Sequence, residues 1–136
     1  MRILVVDIGN TMIHFGVLSS REIIFSKKIL TNSIGSSSFD FLEGSYELIG
    51  ISSVVPDITN IIESKLTQLL NTNNQLIHIN TSTSNIKLLV DSPTEVGADR
   101  ICNAVAANKI DKGPSIVIDF GSATTYDVIN NRGHFI

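Results

Sequence analysis

Two stretches of this chain share one design, and together they restrict the folds open to it. Ile3-Leu4-Val5-Val6 runs into Asp7-Ile8-Gly9-Asn10-Thr11, and Ser115-Ile116-Val117-Ile118 runs into Asp119-Phe120-Gly121-Ser122-Ala123-Thr124-Thr125. Each begins as an apolar, β-branched run that reads as a strand buried on both faces. Each then reaches Asp, one apolar residue, Gly, and small hydroxyl or amide side chains that lead into a further strand. A carboxylate at the end of a buried strand is costly unless a cation or a hydrogen-bond donor meets it. The Gly allows a tight turn whose N–H groups face an anion, and the side chains after it add donors. A carboxylate for a divalent cation beside donors for phosphate is what a nucleoside triphosphate site requires. One such turn is also ordinary hairpin chemistry. Its recurrence at domain-sized separation points to two similar half-units, each bringing a carboxylate and a donor loop to a shared phosphate and metal ion.

The intervening sequence fits that scheme. Ile13, Phe15 and Val17 alternate with less apolar neighbours, which predicts a second strand; Ser19 to Glu22 turns the chain, and Ile23 to Leu30 returns as a third. Thr31 to Ser38 is a polar loop, Phe39 to Glu43 holds one helical turn at most, and Leu48 to Ser53 is a fourth strand. Pro56-Asp57 opens a helix whose Ile58, Ile61, Ile62, Leu66, Leu69 and Leu70 recur at helical spacing, stopped by Asn71 to Asn74. Gln75 to Ile79 is a short strand. Ser92-Pro93-Thr94-Glu95 has the form of a capping box, predicting a helix from there through Val96 to about Asn108, with Ala104, Ala106 and Ala107 allowing close packing. Tyr126 to Ile129 continues the second hairpin, and Asn130 to Gly133 turns. The expected class is α/β: a mixed sheet in β-β-β-α-β-α order, resembling the ribonuclease H-like domains of the actin and sugar-kinase superfamily (ASKHA). An N-terminal half-domain is expected over residues 1–113, and the start of a second similar domain, its first hairpin only, over 114–136.

Composition excludes several alternatives. A chain of 136 residues that is 43% hydrophobic can bury one ordinary core, and a formal charge of −3 gives no reason to expect nucleic acid or a membrane surface as partner. Cys102 is the only cysteine, so no intrachain disulfide is possible; no apolar run approaches the ~20 residues of a membrane-spanning helix. A cytoplasmic protein is expected. His14, His78 and His134 lack metal-ligand spacing, and Cys102 reads as a small core residue. Ser52-Ser53 reads equally as a ligand contact or as a strand-end turn. Asp99, just inside the predicted helix, reads either as a complement to the helix dipole or as a general base for an alcohol, with Arg100 anchoring an anion.

With these residues in view, the chain resembles the type III pantothenate kinases, the enzymes that open coenzyme A biosynthesis. The resemblance rests on Asp7 to Thr11, Ser52 to Pro56, Glu95 to Arg100 with Asn103 to Ala107, and Asp119 to Thr125, in that order along the chain. It implies phosphorylation of the primary hydroxyl of pantothenate by ATP, with Mg²⁺ and a monovalent cation, K⁺ or NH₄⁺, by a homodimer when full length. It further implies that Asp7, Ile8, Gly9, Asn10, Thr11, Met12, Ile13 and His14 form the first phosphate loop, with Asp7 near Mg²⁺. Gly97, Ala98, Asp99 and Arg100 would contact pantothenate, with Asp99 as proton acceptor; Asp119 would bind the monovalent cation and Ser122 an ATP phosphate. Three departures stand out. Ser122 replaces a usual Thr, Val90 stands where a Tyr is frequent before the segment matching Asp91-Ser92-Pro93, and Thr31 to Glu47 is short. Family members are also much longer, so the 136-residue chain alone is expected to be inactive or to need partner material. The rival expectations are a kinase or phosphatase of the same superfamily acting on a sugar, another small alcohol or polyphosphate, and a non-catalytic regulatory protein on the same fold.

Overall fold

A strand that meets an antiparallel partner on one side and a parallel one on the other becomes the centre of a mixed sheet. The first strand, β1 (Arg2–Ile8), does this. It pairs antiparallel with β2 (Met12–Ser19), which pairs antiparallel with β3 (Glu22–Leu30), and it pairs parallel with β4 (Tyr46–Ser53), which pairs parallel with β5 (Leu70–His78). The resulting five-stranded sheet has the order β3-β2-β1-β4-β5. Helix α1 (Pro56–Leu66) connects β4 to β5, as a parallel crossover requires. The structure, a computed structural model, describes residues 1–35 and 39–136, so Ser36 to Ser38 of the predicted loop lie outside the described residues.

These elements form one compact unit, Met1–His78. Leu4, Val6 and Ile8 of β1 join Ile13, Phe15 and Val17 of β2, Ile49 and Ile51 of β4, and Ile62 and Leu66 of α1 in a single buried cluster. Phe39 and Phe41 meet Phe15 edge-on at 6.0 and 5.2 Å between ring centres. Strand β1 is thus not buried on both faces within this unit. Val5 is 41% exposed, and its neighbours across the ladders are Gly16 and Gly50, which carry no side chain to cover it. Helix α1 has Pro56 in its first turn with Asp57, as expected, but it ends at Leu66. Thr67–Leu69 form a 3₁₀ turn, and β5 already begins at Leu70, taking in the Asn-rich segment assigned from sequence to a helix stop. The segment can enter the ladder because Asn73 adopts a φ of 74° and Asn74 Nδ2 donates to the carbonyl of Tyr46 at 3.0 Å, where the β4–β5 register shifts.

The second compact unit, Ile79–Ile136, holds α2 (Ala98–Ile110) and the antiparallel hairpin β6 (Ser115–Phe120)–β7 (Thr124–Ile129). Ile101 and Ala104 of α2 are buried with Ile86, Ile129 and Phe135. Phe135 ties the unit together: its N–H donates to the carbonyl of Lys87 and its carbonyl accepts from the N–H of Leu89. This unit begins well before the boundary expected at 113/114, because α2 shares its core with the hairpin. The predicted capping box does not cap α2. Pro93–Glu95 form a separate 3₁₀ turn with no side-chain cap, Val96 is extended, and the helix starts after Gly97. No helix of the described residues is long and apolar enough to cross a membrane.

Candidate functional site

In the first unit, the site residues are set by the β1–β2 turn. Gly9 N–H donates to the carbonyl of Met12 at 3.0 Å, which closes the turn tightly; a Cβ on Gly9 would stand 3.1 Å from that carbonyl. Thr31 braces it from the end of β3, with Oγ1 donating to the Gly9 carbonyl at 2.8 Å and N–H to that of Thr11 at 3.0 Å. Asn10 and Thr11 are exposed at the tip, and His14 is exposed on β2 directly opposite Asp7. Ile8 and Ile13 are fully buried core residues, so their side chains are not available to a ligand. Asp7 sits one residue before the end of β1, half-buried, and its Oδ1 accepts from Ser52 Oγ at 2.8 Å. Ser52 is opposite Asp7 in the parallel β1–β4 register, and this bond aims the carboxylate. Ser53, by contrast, turns to Thr59 Oγ1 at 2.5 Å and accepts from Val55 N–H, stabilising the entry to α1. It also lines a cavity of about 460 Å³ with Asn60, Glu63 and His78.

In the second unit, α2 starts after Gly97, whose carbonyl accepts from the N–H of Ile101. Ala98 is buried at 8% exposure, which leaves Asp99 and Arg100, both half-buried, as the charged side chains of the first turn. Asp99 Oδ1 accepts from the N–H of Arg100 at 2.8 Å. Arg100 turns to Asp127, donating from Nε at 2.7 Å and from Nη2 to the same oxygen, Oδ1, and lies 5.5 Å from the centre of the Phe135 ring. Asn103, one turn beyond Asp99 and on the same face of α2, donates to Asp119 Oδ2 at 2.8 Å. Asp119 lies on β6 opposite Thr125, whose buried Oγ1 has no hydrogen-bond partner among the described residues. Gly121 N–H donates to the carbonyl of Ala123 and so closes the turn that carries Ser122.

The second unit therefore gathers Gly97, Ala98, Asp99, Arg100 and Asp119 around one helix start, while the first holds Asp7 to His14 on its own turn. Val90 packs against the apolar cluster of the second unit. The sequence alone does not point to Thr31, Asn103 or Asp127 as site residues, and it reads Ser52 equally as a ligand contact or a turn residue. Each owes its place to a register or a helix-to-sheet contact between residues distant in sequence. No group of three or more metal-ligating side chains occurs among the described residues. The residues present nonetheless fit cations held by few protein ligands. Mg²⁺ is commonly bound through one or two carboxylates plus phosphate and water, as Asp7 could provide. Asp119 beside the orphaned Thr125 hydroxyl supplies the oxygen donors that a monovalent ion takes.

A mixed sheet of three antiparallel and two further parallel strands, with a strand-end aspartate at its central turn, places the chain among mixed α/β folds of the sugar-kinase kind. The structure of a candidate N-acetylmannosamine kinase from Listeria monocytogenes matches all of this chain and 49% of its own, at 15% identity and a TM-score of 0.53. The sequence narrows this further: the chain belongs to the type III pantothenate kinase family, whose sequence model matches residues 3–136. A curated type III pantothenate kinase of Sulfurihydrogenibium sp. (strain YO3AOP1) is 38% identical over 146 residues, covering 98% of this chain. The chain spans 57% of the length of that relative.

Proposed function

We propose that the protein carrying this chain transfers the γ-phosphoryl group of ATP to the primary hydroxyl of pantothenate, giving 4′-phosphopantothenate, the first step of coenzyme A biosynthesis. The observation that carries this reading is the family match over residues 3–136, which takes in Asp7, Asp99 and Asp119. In phosphoryl transfer the protein mainly positions the reactants and neutralises charge, so a base, a metal carboxylate and donor loops suffice.

In this reading the turn from Asp7 to His14 receives the ATP phosphates through the backbone of Gly9 and the exposed Asn10 and Thr11. Asp7, aimed by Ser52, holds Mg²⁺, which supplies charge neutralisation on the phosphates. Gly97 to Arg100 contact pantothenate. Asp99 Oδ1 is engaged by its neighbour's N–H, so Oδ2 is the oxygen that takes the proton as the pantothenate hydroxyl oxygen bonds to phosphorus and the bond to ADP breaks. Asp119, steadied by Asn103, holds K⁺ or NH₄⁺, and Ser122 donates to a phosphate. A cytoplasmic homodimer completes the proposal.

The test is to incubate the purified full-length protein with ATP, Mg²⁺ and K⁺ and a panel of pantothenate, N-acetylmannosamine, other small alcohols and polyphosphate. ADP release and the product's mass are followed. Pantothenate alone should gain phosphate. Turnover of another alcohol in its place, or nucleotide binding with no transfer to any of them, would overturn the reading.

A further inference from the structure

Asp127 has no place in the chemistry described so far, yet it is the one acidic side chain among the described residues that is completely buried. A buried carboxylate is strongly disfavoured unless it is paired and its lone pairs are used. Here the pairing is lopsided. Oδ1 accepts both hydrogen bonds from Arg100, and Oδ2, equally buried, has no partner among the described residues. A merely structural ion pair at this place would gain stability by satisfying both oxygens or by replacement with apolar residues. The arrangement instead fixes the guanidinium. Its Nε–Nη2 edge is committed to Asp127, its Cζ lies over the ring of Phe135, and its side chain remains 35% exposed. The Nη1–Nη2 edge is left, with no partner for Nη1 among the described residues, and that planar pair of donors matches a carboxylate.

We infer that Asp127 is a positioning residue: it holds Arg100 so that the free edge of the guanidinium receives the carboxylate of the acceptor substrate. The inference rests on the proposed activity, since it assigns the carboxylate of pantothenate to Arg100. The gain is preorganisation. An arginine side chain has many rotamers, and freezing it before the ligand arrives removes that cost from binding. Asp127 also offsets the arginine charge, so the edge recognises a carboxylate by paired hydrogen bonds rather than collecting polyanions by net charge alone.

The experiment uses the full-length protein, its Asp127→Asn and Asp127→Ala variants, Arg100→Lys, and the double variant R100K/D127N. Each is assayed with pantothenate and with pantothenol, which keeps the reacting hydroxyl but replaces the carboxylate by a hydroxymethyl group. D127N should raise KM for pantothenate about tenfold or more while changing kcat and the KM for ATP less than about twofold. Pantothenol should be turned over equally by wild type and D127N, and the double variant should be no worse than R100K. Equal losses with the two substrates, or losses that multiply in the double variant, would make Asp127 structural and overturn the inference. If D127N and D127A do not fold, the Arg100 Nε–H resonance in the wild type still decides. Slow exchange with water, and a shift on adding pantothenate but not pantothenol, supports the role; rapid exchange or no shift refutes it. Failure of the wild type to phosphorylate pantothenate would remove the activity, and with it the assigned ligand; protection of that resonance would still report the lock by itself.

Discussion

The hydrogen bond from Ser52 to Asp7 allows a direct test of how the first unit aims its carboxylate. Ser52 is 6% exposed and its Oγ lies 2.8 Å from Asp7 Oδ1. A hydrogen bond to a charged group contributes about 1.5–3 kcal/mol. Because Asp7 is only half-buried, water can replace part of the bond after truncation, which places the expected cost of Ser52→Ala near the lower end, at about 1.5 kcal/mol. The measurement is a double-mutant cycle of Ser52→Ala and Asp7→Ala by urea unfolding. The chain has no Trp and two Tyr residues, Tyr46 in the first unit and Tyr126 in the second. In a Tyr126→Phe background, Tyr46 fluorescence therefore reports the first unit alone. A coupling energy of about 1–2 kcal/mol is expected, well outside the ~0.3–0.5 kcal/mol scatter of independent sites. Single-mutant effects that add within that scatter would show that Ser52 does not hold Asp7. The same loss, carried into the binding of Mg²⁺–nucleotide, should weaken it by about tenfold, since about 1.4 kcal/mol is a factor of ten.

Three further outcomes can be checked independently. The Tyr46 hydroxyl is buried with no hydrogen-bond partner among the described residues, and burial raises its pKa above the ordinary 10.0. The unfolded chain therefore ionises first, so Tyr46 adds no pH dependence below about pH 10 and costs stability as the pH rises through its raised value; Tyr46→Phe should be neutral or stabilising by up to about 1 kcal/mol at pH 7 and should lessen the alkaline loss in melts from pH 8 to 11. Gly133 has a φ of 74°, and a Cβ there would stand 2.7 Å from Asn108 Nδ2, so Gly133→Ala should cost about 1–2 kcal/mol; an unchanged melting temperature would contradict this. Asp99→Asn in the full-length protein should lower kcat by about 10²-fold or more with nucleotide binding intact by calorimetry, and undiminished turnover would remove Asp99 from the mechanism.

Much of the candidate site is legible in the sequence because it is written locally. The turn from Asp7 to Thr11 and its counterpart from Asp119 to Thr125 are contiguous, and their composition states the need for a tight turn, a carboxylate and donors. The mixed sheet was legible for the same reason, since the alternation of Ile13, Phe15 and Val17 and the helical spacing of Ile58 to Leu66 report one buried face each. Local cues misled where two readings share a pattern. Ser92-Pro93-Thr94-Glu95 has the residues of a capping box, but Val96 and Gly97 leave helical geometry and the turn stays separate. Leu69 and Leu70 continue the spacing of α1, yet Leu70 opens β5, because pairing with β4 satisfies its backbone in the sheet.

What the sequence by itself determined is therefore the two Asp–Gly turns, the acid at the start of α2, the mixed α/β class and the family. Only the tertiary structure decided which side chains hold Asp7, Asp119 and Arg100 in place. Ser52 reaches Asp7 through a parallel register 45 residues apart, Asn103 reaches Asp119 from helix to strand, and Asp127 reaches Arg100 from β7 to α2. Such partners carry no local pattern: a hydrogen bond needs a donor and an acceptor about 3 Å apart, and that distance exists only once register and packing have brought remote segments together.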